Sequence, residues 1–140
     1  MPRDTRTGSV LEQMVLPALR QGSYQYQTQV RIGQRLGGGR HVIDVVATDR
    51  NGLGYLISLK WQQVSGTAEQ KVPFEVICLA DAVASSEGNY SRGYVVLGGD
   101  GWKLRGFYTS GLLVRYLRNI ESVTVMTLEA FVARANRGEL

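Results

Sequence analysis

Apolar residues recur along this chain at two alternating periods. Over residues 9–21 (SVLEQMVLPALRQ), Leu11, Met14, Val15, Ala18 and Leu19 fall at helical spacing. That spacing predicts an amphipathic first helix, kinked or shortened by Pro17. Residues 24–32 (YQYQTQVRI) switch to a two-residue period and predict a strand with one solvated face. GQRLGGGR then reads as a turn with a flexible tip at Gly37–Gly39. Residues 41–48 and 54–62 are near-continuous apolar runs joined by DRNGL, in which Asn51-Gly52 signals a hairpin. Their character predicts central strands covered on both faces. Pro73 suits the first turn of a helix running to about residue 86, with Val76, Leu79, Ala80 and Val83 as its buried stripe. A short strand at 94–97, a helix over 107–118, a strand at 123–126 and a helix at 128–135 complete the chain. The order αβββαβαβα predicts an α/β fold: one mixed sheet with helices packed on its faces, in a single domain over residues 1–140.

Two charges interrupt this pattern. In LISLKWQ, Lys60 is set into an apolar strand, and in HVIDVVA, Asp44 is enclosed by Val42, Ile43, Val45 and Val46. Strand alternation puts Ser58, Lys60 and Gln62 on one face and Ile57, Leu59 and Trp61 on the other. The hairpin makes the strand of Asp44 the neighbour of the strand of Lys60. A carboxylate and an ammonium therefore meet near the strand ends, and burying them is costly unless they pair or bind a metal. Lys60 alone reads as a strand-end ion pair whose amine reaches water; Asp44 and the polar same-face partners change that reading.

This arrangement resembles the restriction-endonuclease-like superfamily, the PD-(D/E)XK nucleases, over essentially the whole chain. The resemblance rests on the leading helix with Glu12, the hairpin carrying Asp44 and then Ser58-Leu59-Lys60, and the αβαβα elements that follow. It implies a restriction-endonuclease-like central sheet in which Asp44 binds Mg²⁺ (with Mn²⁺ as a substitute), Lys60 positions the attacking water and Glu12 completes the site. Ile43 stands where the motif has proline. Ser58 occupies the acid position, and a neutral hydroxyl is a poor magnesium ligand by itself. Some tetrameric restriction enzymes have a similar Ser-x-Lys motif and supply the missing acid from the next helix. Here Glu75 follows Lys60 by fifteen positions, and Glu69, in GTAEQK, is the second candidate. The implied catalytic set is Asp44, Lys60, Glu75, Glu12 and Gln62, with Asp44, Glu75 and Glu12 as metal ligands. Each has a plainer role: Ser9 to Glu12 fits a capping box, Glu75 can complement a helix N-terminus, and Gln62 can be a surface residue. His41, the only histidine, reads as structural or DNA-facing.

Charge adds to this reading. The net charge is +4, and thirteen of the sixteen basic residues are arginine, the side chain that best matches phosphate. Arg31, Arg35 and Arg40 flank the glycine turn and are candidate DNA contacts. Lys103, Arg105, Arg115 and Arg118 form a possible second patch, while Trp61 and Trp102 read as packing residues. LGGGR and LGGDG lack a Walker lysine and the strand-to-helix glycine fingerprint, so they point to turns. One cysteine, Cys78, excludes a disulfide framework and a cysteine-based zinc cluster. No apolar run reaches membrane-span length, and MPRDTRTG lacks a signal-peptide core, so a cytoplasmic or intracellular protein, bacterial or phage-encoded, is expected.

The function these features imply is metal-dependent hydrolysis of DNA by a homodimer or homotetramer of restriction, homing, phage or repair type. The competing expectation is a catalytically inactive nucleic-acid-binding or assembly protein that kept the fold, and RNA is a third possible substrate.

Overall fold

A computed structural model describes residues 6–140. The chain opens with α1 (Arg6–Val10), a π-helical segment (Leu11–Val15) and α2 (Leu16–Gln21). In the π segment Leu16 N–H bonds back to Leu11 O, five residues earlier. Pro17 explains the widening: it has no N–H for the carbonyl of Gln13, and its ring would clash with that carbonyl in a regular α-helix. Ser9 lies inside α1, not at a helix start, and Val10 makes no side-chain cap, so the expected Ser9–Glu12 capping box does not form.

The sheet consists of β1 (Gln25–Gln34), β2 (Arg40–Thr48), β3 (Gly54–Trp61), β4 (Tyr90–Gly98) and β5 (Val123–Thr127), adjacent in that order. β1–β2 and β2–β3 are antiparallel hairpin pairs; β3–β4 and β4–β5 are parallel. Each parallel step requires a crossover. The first is α3 (Ala68–Ala84); the second holds α4 (Arg105–Thr109) and a 3₁₀ turn (Leu112–Arg115). α5 (Leu128–Asn136) closes the chain, with the Thr127 hydroxyl accepting from Ala130 N. Two cores result. On one face Val15, Leu19, Val45, Ile57, Tyr94 and Phe131 pack under the N-terminal helices and α5. On the other Ile43, Leu56, Val72, Val76, Leu79 and Val95 pack under α3. No helix among the described residues is long and apolar enough to cross a membrane.

The predicted order of elements is present, with four differences. β3 is buried along most of its length, but β2 alternates and leaves Val42 exposed, because Val42 points away from the α3-side core to which its neighbour Ile43 belongs. β4 extends well beyond 94–97, since Tyr90, Arg92 and Gly93 also pair with β3. The helix expected over 107–118 is split at Gly111, whose φ of +80° is left-handed and ends α4. Finally, α3 begins five residues before Pro73, which lies inside it.

That internal proline is accommodated from outside the helix. Pro73 cannot donate to the carbonyl of Glu69, one turn earlier. The Tyr108 hydroxyl donates to that carbonyl instead, at 2.6 Å. Tyr108→Phe is therefore expected to destabilise the protein by about 1–3 kcal/mol. Pro73→Ala restores an N–H donor, so the same Tyr108→Phe change in that background should cost clearly less. Denaturant unfolding of the four variants in this cycle checks it; equal costs in both backgrounds would contradict the pairing.

Candidate active site

β3 carries Leu56, Ser58 and Lys60 on the α3 face and Ile57 and Leu59 on the other, as alternation requires, and Gln62 follows just past its end. Ser58 is 4% exposed, whereas the Lys60 side chain, nearer the strand end, is 23% exposed. On β2 the alternation breaks at Asp44. Ile43 belongs to the α3-side core, while Val45 and Ala47 belong to the opposite core. The β2–β3 ladder ends at the Val45–Ile57 pair, and the Asp44 carboxylate takes over from it, Leu59 N–H donating to Oδ2 at 2.8 Å. Across the β1–β2 hairpin Gln29 has a φ of +52°, outside the extended region, so both strands turn over at the same level. The distal half of the hairpin is thereby carried against α3.

Glu75 arrives from the other side. On α3, Val72, Glu75, Val76 and Leu79 share one face, three and four residues apart, and all four are buried. The carboxylate therefore enters the sheet–helix interface, where three nitrogens approach it. Arg35 Nη2 and Lys60 Nζ both lie 3.9 Å from Oε2, while His41 Nε2 lies 3.6 Å from Oε1. These are ionic contacts longer than hydrogen bonds.

Burial pushes the Asp44 carboxyl above its ordinary value, and the Glu75 charge adds to the rise; the Leu59 amide, the Lys60 ammonium and the Gln29 side chain oppose it. Burial likewise lowers the His41 pKa, with Arg35 and Lys60 reinforcing the drop against the pull of Glu75. The imidazole is accordingly neutral at physiological pH.

The structure brings Asp44, Lys60 and Glu75 into one charge cluster, together with Arg35 and His41. It sends Glu69 elsewhere: its Oε1 accepts from Leu104 N at 2.7 Å, tying α3 to the segment before α4. Gln62 is engaged at both ends of its amide, donating to Gly101 O at 2.8 Å and accepting from Ala68 N at 3.0 Å. Its side chain fixes the start of α3. Glu12 is exposed on the π-helical segment and is not among the charges felt by Asp44 or His41. Arg31 and Arg40 are exposed on the hairpin, whereas Arg35 is half-buried against Glu75. Sequence reasoning missed that second engagement of Arg35, as well as His41. The hydrophobic period offers no sign of the break at Asp44 that turns both residues toward α3.

Among the described residues, no three His, Cys, Asp or Glu side chains stand close enough together to enclose an ion. Magnesium does not require three: it commonly takes one or two protein carboxylates and fills its shell with waters and substrate phosphate. Asp44 and Glu75, with a buried neutral imidazole beside them, fit such a cation.

A model of the PD-(D/E)XK nuclease superfamily domain matches residues 3–139. Among solved structures, a repair endonuclease from Pyrococcus abyssi is 16% identical, with a TM-score of 0.47 over 89% of this chain and 46% of that one. A protein of unknown function, AF1548, is 14% identical, with a TM-score of 0.49 over 81% of this chain and 54% of that one. The chain thus spans about half the length of these two structures. No curated protein matches the sequence.

The raised Asp44 pKa sets a sign for stability. An acid that holds its proton more tightly when folded stabilises the fold at low pH. That contribution is lost as pH rises above 3.8 through the folded-state value. Asp44→Asn keeps an acceptor for Leu59 N–H and removes the buried charge. It should therefore melt at higher temperature than wild type in EDTA at neutral pH, with the difference shrinking as pH falls toward the ordinary aspartate range. A lower melting temperature at neutral pH would contradict this electrostatic assignment.

Proposed function

The chain belongs to the PD-(D/E)XK nuclease superfamily, and from that premise we propose that it is a metal-dependent endodeoxyribonuclease. The observation that carries the reading is the placement of Glu75. It leaves α3 beside Lys60, on the face where β3 bears Ser58 in place of an acid. The alternative acid, Glu69, is bound to Leu104. Asp44 and Glu75 are the residues assigned to hold Mg²⁺, or Mn²⁺ in its place. When bound, that cation supplies acidification of a water and charge balance at the scissile phosphate.

The chain's own groups do the rest. Leu59 N–H fixes the Asp44 carboxylate, so its free oxygen keeps one direction. Lys60, partly solvated at the strand end, donates to the incoming water and adds positive charge beside the phosphate as negative charge develops. Gln62 and Glu69 act at a distance, by locking the start of α3 and hence the reach of Glu75. Arg31 and Arg40, exposed on the hairpin, serve as phosphate contacts, and Arg35 joins them at the inner edge. A duplex cut on both strands calls for two such sites, hence a homodimer or homotetramer. Glu12 is left out of this assignment.

One observation favours a second reading, a non-catalytic DNA-binding protein. Arg35 and Lys60 already balance the buried Glu75 charge without a cation. Plasmid and branched DNA incubated with Mg²⁺, Mn²⁺ or EDTA separate the two. Cleavage should require a divalent ion and fall at least about 100-fold in Lys60→Ala and in Glu75→Gln, with the fold retained. Glu69→Gln should lower the cutting rate far less than Glu75→Gln and lose stability. Binding without cutting in every condition selects the second reading, and full activity in Glu75→Gln removes the proposed acid.

A further inference from the structure

Glu75 has more positive charge around it than one carboxylate needs. Arg35 Nη2 and Lys60 Nζ both lie 3.9 Å from the same oxygen, Oε2, and neither distance is a hydrogen bond. Arg35 is the less committed of the two. Its side chain is 35% exposed, yet its Nε is buried without a hydrogen-bond partner among the described residues. Nε and Nη2 form one edge of the guanidinium, of the kind that grips a carboxylate or a phosphate with two parallel bonds. Here that edge meets Glu75 only at ionic range, and its capacity for charge-assisted bonds goes unused.

The place of Arg35 in the fold shows where those bonds can be made. It is the first residue of the turn between β1 and β2, where its N–H donates to Gly39 O and its carbonyl accepts from Gly38 N. The turn backbone is thereby fixed, so a change of partner needs only the side chain to swing. Exposed Arg31 and Arg40 flank the same turn. At its tip Gly37 and Gly38 have φ of +94° and +96°, and nothing stands within 4 Å of where their Cβ atoms would lie. The tip is open to a duplex. A phosphate there offers Arg35 the hydrogen bonds that Glu75 does not, and Lys60 remains on Oε2 to balance the buried charge.

We propose that Arg35 exchanges partners when DNA binds: its guanidinium leaves Glu75 Oε2 for a backbone phosphate on the hairpin. Glu75 is then freed from one of its two cations only in the complex. The proposal rests on the DNA reading above and adds a contact that holds Glu75 back until substrate is seated.

The experiment measures binding of a fluorescent duplex in EDTA by wild type, Arg35→Gln, Glu75→Gln and the double variant, across a range of salt. If Glu75 and phosphate compete for Arg35, Glu75→Gln binds about tenfold more tightly than wild type. In the Arg35→Gln background the same change should tighten binding less than about threefold. Arg35→Gln alone should bind more weakly and lose about one phosphate contact from the salt dependence. Equal tightening in both backgrounds means that Glu75 merely repels the duplex. Unchanged salt dependence in Arg35→Gln means that Arg35 never reaches phosphate. Either result overturns the exchange and leaves the DNA reading standing, whereas no binding by any variant overturns both. In ¹⁵N-labelled wild type, DNA should shift the Arg35 Nε–H resonance, identified by its loss in Arg35→Gln. An unmoved resonance in a protein that binds DNA refutes the exchange even if Glu75→Gln fails to fold.

Discussion

The buried carboxylate of Glu75 is the constraint around which the rest of the molecule is arranged. It sits on the core-facing stripe of α3, between Val72 and Leu79, where an apolar side chain would be the default. An ionised carboxylate there without partners would cost several kcal/mol. The fold answers with Lys60 from β3 and Arg35 from the β1–β2 hairpin, each reaching the same oxygen. Neither arrives by regular sheet geometry alone. Lys60 extends from the strand end, and Arg35 comes close because both hairpin strands turn over at Gln29 and Asp44.

That turn-over accounts for the second carboxylate. Where β2 leaves β3, Leu59 N–H would lack a ladder partner, and Asp44 supplies one. The same bond holds the carboxylate beside Lys60 despite the burial that favours its neutral form. Ser58 follows naturally. A third buried acid on β3 would face Glu75 and Asp44 across a small space, and like charges so placed cannot all stay ionised. A neutral Ser58 and an acid on the helix avoid that conflict. The helix is held for the task by side chains outside it, with Gln62 at its start, Glu69 on Leu104 and Tyr108 on the carbonyl that Pro73 leaves free.

Much of this was legible in the sequence, because it follows from local periods. The order of elements and the faces of β3 come from spacings of two, three or four residues, whereas Glu75, expected in the first turn of its helix, lies inside α3 and is buried. Asn51-Gly52 marked the hairpin that puts β2 next to β3, and the structure adds Asp49, which accepts from Asn51 N–H and Leu53 N–H. What sequence did not yield depends on departures from period. Pro73 looked like a helix start because the Tyr108 hydroxyl that tolerates it inside α3 is 35 residues away in sequence. His41 and Arg35 looked peripheral because only the irregular backbone at Gln29 and Asp44 aims them inward. Gln62 looked like a partner of Lys60 on one strand face, but it lies just past β3 and its amide is bound to Gly101 and Ala68.

The central claim is that Asp44 and Glu75 share a cation on the Ser58 face of the sheet. Anomalous scattering from a crystal soaked in Mn²⁺ tests it most directly. A peak within about 2.0–2.3 Å of one oxygen from each carboxylate is the predicted result. A soaked crystal in which Glu75 stays on Arg35 and Lys60, with manganese absent or bound elsewhere, would contradict it.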